Sequence, residues 1–192
     1  MTNEHQNFFS VACDFLLLAD PIEPEFKLVD DDALIAMMPS AFQLMAQVNQ
    51  VEQRVLPLMS NLKQETAELA EYLNLQNRKI DLVLQMQLAN SLEAHYRCKG
   101  VSFGGSGVKV SHQQAIEVGT VLEIKLLVSE ENIAVYAIAE VIDCQQVEDR
   151  YHWHLDFTSI SDGDQEQLVH ASLQVEQRHL RARAAARRQQ AD

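Results

Sequence analysis

The stretch Gly104-Gly105-Ser106-Gly107-Val108-Lys109-Val110, followed by Val118-Gly119-Thr120-Val121-Leu122-Glu123-Ile124, sets the period of the second half of the chain. Val108 and Val110 alternate with Lys109 and Ser111. Leu122, Ile124, Leu126 and Val128 alternate with Glu123, Lys125 and Leu127. Side chains that alternate this way lie on the two faces of a strand. Upstream, His95–Phe103 leads into the glycines. Downstream, Ile133–Cys144 is apolar on both faces apart from Glu140 and Asp143, and Trp153, Leu155 and Phe157 alternate with His152, His154 and Asp156. Glu130-Glu131-Asn132 marks a hairpin turn. Five short strands at this spacing predict an antiparallel barrel or sandwich. Residues 8–18 add a strand that mixes aromatic and β-branched residues and stops at Asp20-Pro21. Asp162-Gly163-Asp164 opens a final helix through about Arg188, with Leu168, Leu173, Val175 and Leu180 as apolar positions.

Between the first strand and the others the period is helical. Pro21, Pro24, the triplet Asp30-Asp31-Asp32 and Pro39 bound a connector whose acids suit the first turn of a short helix. From residue 40 to about 93 there is no glycine, and Leu, Gln, Glu and Ala dominate. A helix of that span would be roughly 75–80 Å long, more than a compact domain of this size can cover. Val48, Val51, Val55, Leu58 and Leu62 step by three and four. After a stutter the series resumes at Thr66, Leu69, Leu73, Gln76, Ile80, Val83 and Gln87. This seam predicts a coiled coil or helical bundle, with Thr66, Gln76 and Gln87 as polar residues that fix register. Pro57 predicts a kink near Gln53, or a break there into two helices.

Composition bounds the function. At 47% hydrophobic and 22% charged the 192 residues make a folded chain. A net charge of -13 argues against nucleic-acid binding. Cys13, Cys98 and Cys144 form neither a disulfide framework nor a zinc ladder, which predicts idle thiols in a reducing cytoplasm. No basic segment precedes an apolar one and no apolar run nears the ~20 residues of a membrane span, so neither a secretory signal nor membrane insertion is expected. The basic exception is the tail, where residues 178–192 hold five arginines and Asp192. Cations complement a helix C-terminus. Their number also suits docking to an acidic partner or an anionic surface.

The order of elements resembles a PilZ domain, the bacterial six-stranded barrel that serves as a receptor for cyclic di-GMP. The glycine cluster resembles the turn after the family's D/N-x-S-x-x-G motif. Val118-Gly119 resembles its G-x-x-L-x-I step, and Leu155-Asp156-Phe157 its last strand before the terminal helix. The resemblance covers residues 8–20 and 94–188. It leaves residues 40–93 as an insertion similar to that of the atypical, tetramer-forming members, whose long helices associate as a coiled coil. It implies an α+β fold, a PilZ-like antiparallel six-stranded β-barrel with a long inserted coiled-coil helix and a C-terminal helix. The chain then divides into 1–22, the first barrel strand; 23–39, a connector with a short helix; 40–93, the oligomerisation helix; and 94–192, the rest of the barrel with its terminal helix.

Set against that family, the ligand site is degenerate. Its R-x-x-x-R element grips phosphates bidentately and stacks on guanine, which lysine does poorly. Here no arginine precedes residue 54. Arg183-Ala-Ala-Ala-Arg187 matches literally but lies at the far end of the last helix. Aligned on Gly107, Ser102 stands at the acid or amide position and Gly104 at the serine position, with Gly105 between. Neither supplies the missing group. The glycines are then expected to serve a tight turn with positive φ. Arg97 and Lys99 are the nearest cations that could serve a ligand. The resemblance thus implies a non-enzymatic module in cyclic di-GMP-linked signalling that works through a protein partner. It would be a homo-oligomer, a tetramer in preference to a dimer, held by Val48, Val51, Val55, Leu58, Leu62, Thr66, Leu69, Leu73, Gln76, Ile80 and Val83. The alternative is a working cyclic di-GMP receptor with a site rebuilt from Arg97, Lys99 or the tail arginines. No cofactor beyond that nucleotide is suggested.

Catalytic constellations are not legible. Neither G-x-S-x-G nor a Walker lysine accompanies the glycines. His152, His154 and Asp156 share a strand face, but no fourth metal ligand stands near them in sequence. No catalytic residue and no metal are assigned.

Overall fold

The computed structural model describes residues 10–40, 42–44, 69, 71–73, 75–76, 79–80, 83, 93–131 and 133–189. Seven strands pair antiparallel throughout: β1 (Ser10–Ala12), β2 (Leu16–Pro21), β3 (Tyr96–Gly104), β4 (Gly107–His112), β5 (Val121–Val128), β6 (Ile133–Val147) and β7 (Arg150–Ile160). Their order is β1-β3-β2-β5-β6-β7-β4, and β4 returns to pair with β3. β1 and β2 lie end to end along β3, so together they are one broken strand of a closed six-stranded barrel. Helix α1 (Asp31–Met37) lies in the connector and α2 (Asp162–Gln189) follows β7. The fold is α+β. Among the described residues no helix is long and apolar enough to cross a membrane.

The core has two layers, which explains why β6 is apolar on both faces. Ile133, Val135, Ala137, Ala139 and Val141 point into the barrel with Phe103, Trp153 and Leu155, and Leu168, Ala171 and Val175 of α2 join that cluster. Ala134, Tyr136 and Ile138 point outward and are covered by Leu34, Met38 and Phe42. Seven residues are too few for a helix to stand alone in water. α1 is held by Leu34 and Met38, each burial contributing about 1.5–3 kcal/mol. The Asp30 carboxylate caps it by accepting from Ala33 N at 2.8 Å.

Lys125 departs from the simple alternation of polar residues outward into water. It is only 5% exposed on the outer face of β5. Its Nζ lies 2.8 Å from Glu123 Oε1 and 3.1 Å from Asp20 Oδ2. Burial alone would lower its pKa, but the bonds and charges of Glu123 and then Asp20 outweigh this and hold the ammonium above its ordinary value. Asp20 Oδ1 also accepts from His95 N at 2.7 Å. One carboxylate therefore ties β2 to the point where the chain re-enters the barrel.

Two expectations change. The single strand over residues 8–18 is broken at Cys13–Phe15 and runs on to Pro21. Three residues there face Gly100 and Val101, beside the bulge of β3, with Gly100 N bonded to Phe15 O at 2.7 Å and Cys13 N to Val101 O at 3.2 Å. The glycine corner is not left-handed either: among the described residues the only glycine with positive φ is Gly119, at 92°. Close approach is the reason instead. A Cβ on Gly107 would sit 2.3 Å from the Leu155 carbonyl oxygen, and one on Gly105 2.4 Å from Val169 Cγ2. The long helix over 40–93 falls largely outside the described residues, as do Val48, Val51, Val55, Pro57, Leu58, Leu62 and Thr66. The described positions within 69–83 are helical.

Ser161 immediately precedes helix α2, and its hydroxyl accepts from Asp164 N at 3.1 Å. Burial pushes the Asp164 carboxyl up to about 6, against the opposing bond to Ser161. An acid whose folded pKa is raised loses stability as pH rises from its unfolded value, near 4, through 6. Asp164→Asn should therefore stabilise the fold at pH 7.5 by about 1 kcal/mol, after losing a favourable dipole contact. That gain should vanish near pH 4.5 in urea titrations. A second pair of variants separates the glycines. Gly107→Ala must displace backbone and should cost about 2 kcal/mol or more. Gly163→Ala meets nothing within 4 Å and should be neutral or stabilising by about 0.5 kcal/mol. Denaturant midpoints of the two variants measure the contrast.

Candidate functional site

Strand β3 exposes Arg97 and Lys99 on the outer wall of the barrel, while Cys98 and Gly100 point inward. A bulge between Gly100 and Ser102 resets the alternation, so that Phe103 is fully buried and Ser102 lies half-buried beside Ala12 and Lys109. β4 runs alongside and leaves Lys109 exposed. β7 begins after the Glu148-Asp149 turn, where Glu148 has φ 54°. Its first residue, Arg150, reaches across β4: Nε donates to Ser111 Oγ at 2.6 Å and Nη2 to Ser111 O at 3.1 Å.

Arg97, Lys99 and Arg150 thereby line one shallow depression of about 270 Å³, with Phe15, Leu16 and Cys98 as its other walls. Lys99 Nζ is 3.3 Å from Asp14 Oδ1, both well exposed, a pairing worth little in water. Burial pushes the Cys98 thiol up to about 12, with the Arg150 charge acting in the opposite direction, so the thiol is protonated and unreactive at neutral pH. Two guanidinium groups and an ammonium around an apolar floor suit an anion such as a phosphate. A larger hollow of about 600 Å³ under α2 is lined by Glu131, Glu166 and His170, and its acids make it unsuited to the same ligand.

The glycine hairpin is a separate place. Lys99 and Gly104 are roughly 16 Å apart along β3, and neither Ser102 nor any glycine lines the depression. The hairpin is pinned from two sides. Phe157 N donates to Ser106 O at 2.9 Å, Gln165 Nε2 donates to Gly105 O at 2.9 Å, and Val169 of α2 lies over Gly105. The structure thus brings Arg97 and Lys99 together but sets them apart from Ser102, Gly104, Gly105 and Gly107. Sequence reasoning missed Arg150. Its only signal was a cation opening a strand, and its place beside Ser111 depends on cross-strand register, which periodicity does not give.

On the same wall His152 and His154 stand opposite Ser111 and Lys109, and His154 Nε2 is 3.7 Å from Asp156 Oδ1. Among the described residues no three His, Cys, Asp or Glu side chains are grouped to hold a metal ion. Cys13, Cys98 and Cys144 are not joined by a disulfide.

Comparison with known proteins bears on the fold. A family model described as "PilZ domain" matches residues 76–174. No curated protein sequence matches the chain. Among solved structures, a pathogenic protein from Xanthomonas campestris is similar over 91% of both chains, at 16% identity and a TM-score of 0.48. It is described as a tetrameric PilZ domain self-assembled via a helical bundle. The Bacillus subtilis inhibitor of motility, MotI/DgrA, is similar over 43% of both chains, at 17% identity and a TM-score of 0.41. The PilZ model takes in more than half of the 192 residues, from the end of the inserted segment through the buried turns of the terminal helix, and the chain belongs to the PilZ family.

Proposed function

We propose that this chain is a non-enzymatic signalling module in which PilZ barrels are gathered by their long helices into a homotetramer. It acts through protein contacts and does not depend on cyclic di-GMP held at the family loop. One observation carries the reading. Leu69, Leu73, Ile80 and Val83 are helical and are 57%, 44%, 58% and 65% exposed. With half-buried Gln76 they step by four, three, four and three, which at about 100° per residue places all five within roughly 80° of one helix face. Burying side chains of this size is worth about 1.5–3 kcal/mol each, so a single protomer leaves a large gain unrealised.

The steps put Leu73 and Ile80 at a positions and Leu69, Gln76 and Val83 at d. Two-stranded parallel coils prefer β-branched residues at a and leucine at d; Ile80 and Leu69 keep that preference and Leu73 and Val83 invert it, so the choice of a tetramer rests on the resemblance to the tetramer-forming members and not on residue type. The pinned hairpin supports the second half of the reading. Ser102 and Gly104 stand where an acid and a serine would serve a ligand, and Gln165 and Val169 occupy the turn.

A second reading, a cyclic di-GMP receptor with a rebuilt site, is favoured by the depression that joins Arg150 to Arg97 and Lys99. It needs no family loop.

The assembly is tested by Leu69→Asp combined with Leu73→Asp. Charges in the seam should reduce the particle mass measured by analytical ultracentrifugation to that of one 21.7 kDa chain. The barrel's near-ultraviolet signal, which Trp153 dominates, should stay. An unchanged mass would remove the seam from the interface.

A further inference from the structure

Helix α2 has a second face that the barrel does not use beyond the contact of Val169 with Gly105. Leu168, Ala171, Ser172 and Val175 are buried, and beyond Val175 no described residue of α2 is. The segment from Glu176 to Gln189 spans roughly 20 Å. Val169, Leu173 and Leu180 are 44%, 49% and 53% exposed. With Glu176, Arg183 and Arg187 they step by four, three, four, three and four, which aligns all six along one ridge. Glu176 is paired with Arg183 at 3.7 Å within it, and Arg181 flanks it. The ridge is apolar at its barrel end and cationic toward its tip.

The connector presents the complement. Phe26, Leu28 and Ile35 are 41%, 74% and 51% exposed in a stretch that also exposes Glu23, Glu25, Asp31 and Asp32. Its single cation, Lys27, is engaged by Glu140 at 2.5 Å. This surface is already built. Val29 N donates to the Ser159 hydroxyl at 3.0 Å, that hydroxyl donates to Val29 O at 3.2 Å, and Asp30 caps α1. Within one chain the two surfaces do not cover each other, since both stay exposed. α2 packs on β1, β3 and β6, whereas the connector packs on β5, β6 and β7.

We propose that the α2 ridge of one copy seats on the connector of a second copy, Leu180 against Leu28, with Arg181, Arg183 and Arg187 facing Glu23, Glu25, Asp31 and Asp32. The contact rests on the helical assembly proposed above, which holds the copies at an effective concentration near millimolar, so a weak contact suffices. Parallel pairing of α2 with a second α2 is opposed by charge, because Arg183 and Arg187 would meet their own copies; antiparallel pairing is read by the cross-linking of Leu180→Cys with itself. The same contact would link neighbouring barrels and make their relative placement sensitive to salt, since screening shortens to about 3 Å at 1 M.

Cysteine cross-linking of the full chain tests this. In a Cys13→Ser, Cys144→Ser background, Leu28→Cys and Leu180→Cys chains are co-expressed and mildly oxidised, with the mass before oxidation read by light scattering. The expected result is a covalent dimer joining the two kinds of chain, about fivefold above either variant alone, since a disulfide forms only where Cα atoms approach within about 7 Å. Adding Arg181→Glu and Arg183→Glu to the Leu180→Cys chain should reduce it severalfold, and Glu23→Arg with Glu25→Arg in the Leu28→Cys chain should restore it. A full assembly mass without the cross-link overturns the contact and leaves the bundle standing. Equal cross-linking of Leu180→Cys with itself assigns the ridge to α2–α2 pairing and also overturns it. A monomer mass overturns the bundle first.

Discussion

Closure of the barrel depends on β4 meeting β3 and β7 at once, and the corner that allows it has almost no side-chain volume. At Gly107 the backbone lies so near β7 that a methyl group would be 2.3 Å from the Leu155 carbonyl oxygen. At Gly105 the same approach admits Val169, which seats α2 on the open end of the barrel. Much follows from this corner. The inner cluster is enclosed by sheet on all sides and by α2 at one end. The outward wall of β3, β4 and β7 is left to polar and cationic residues.

The opposite wall has another use. β6 and the two ends of β5, at Val121 and Leu127, are apolar outward as well as inward because α1 and the start of the inserted segment cover them through Leu34, Met38 and Phe42. Lys125, Glu123 and Asp20 form a charged cluster at that cover, and His95 N bonds to the same Asp20. The insertion is thereby fastened at its exit and its return. A removed partner would leave a buried charge, which costs more than the pair itself contributes.

The strands after residue 94 and the terminal helix were legible because their periods are simple and their order is distinctive. Asp30–Asp32 at the start of α1 was legible for the same local reason, a capped first turn. What periodicity could not convey was register. The break at Cys13–Phe15 answers a bulge at Val101 on the neighbouring strand, and Arg150 joins Arg97 and Lys99 only through cross-strand pairing. The glycine cluster was read correctly as a hairpin but for the wrong cause. Local turn chemistry suggested positive φ, while the structure demands absence of volume, a tertiary constraint with no short-range signal. The family-loop residues Ser102, Gly104, Gly105 and Gly107 and the cations Arg97 and Lys99 likewise looked like one site in sequence and are two places in space.

The proposed account is of a PilZ barrel whose loop serves packing and whose function moves to helices and surfaces. A net charge of -13 already works against a dianionic nucleotide, and only the depression at Arg97, Lys99 and Arg150 offsets it locally. Isothermal titration calorimetry of the intact chain with cyclic di-GMP tests that claim most directly. The account predicts no binding heat with ligand up to roughly 300 μM, a dissociation constant weaker than about 5 kcal/mol of affinity. Saturable binding in the low micromolar range, abolished by Arg97→Ala or Arg150→Ala, would contradict it and make the chain a receptor.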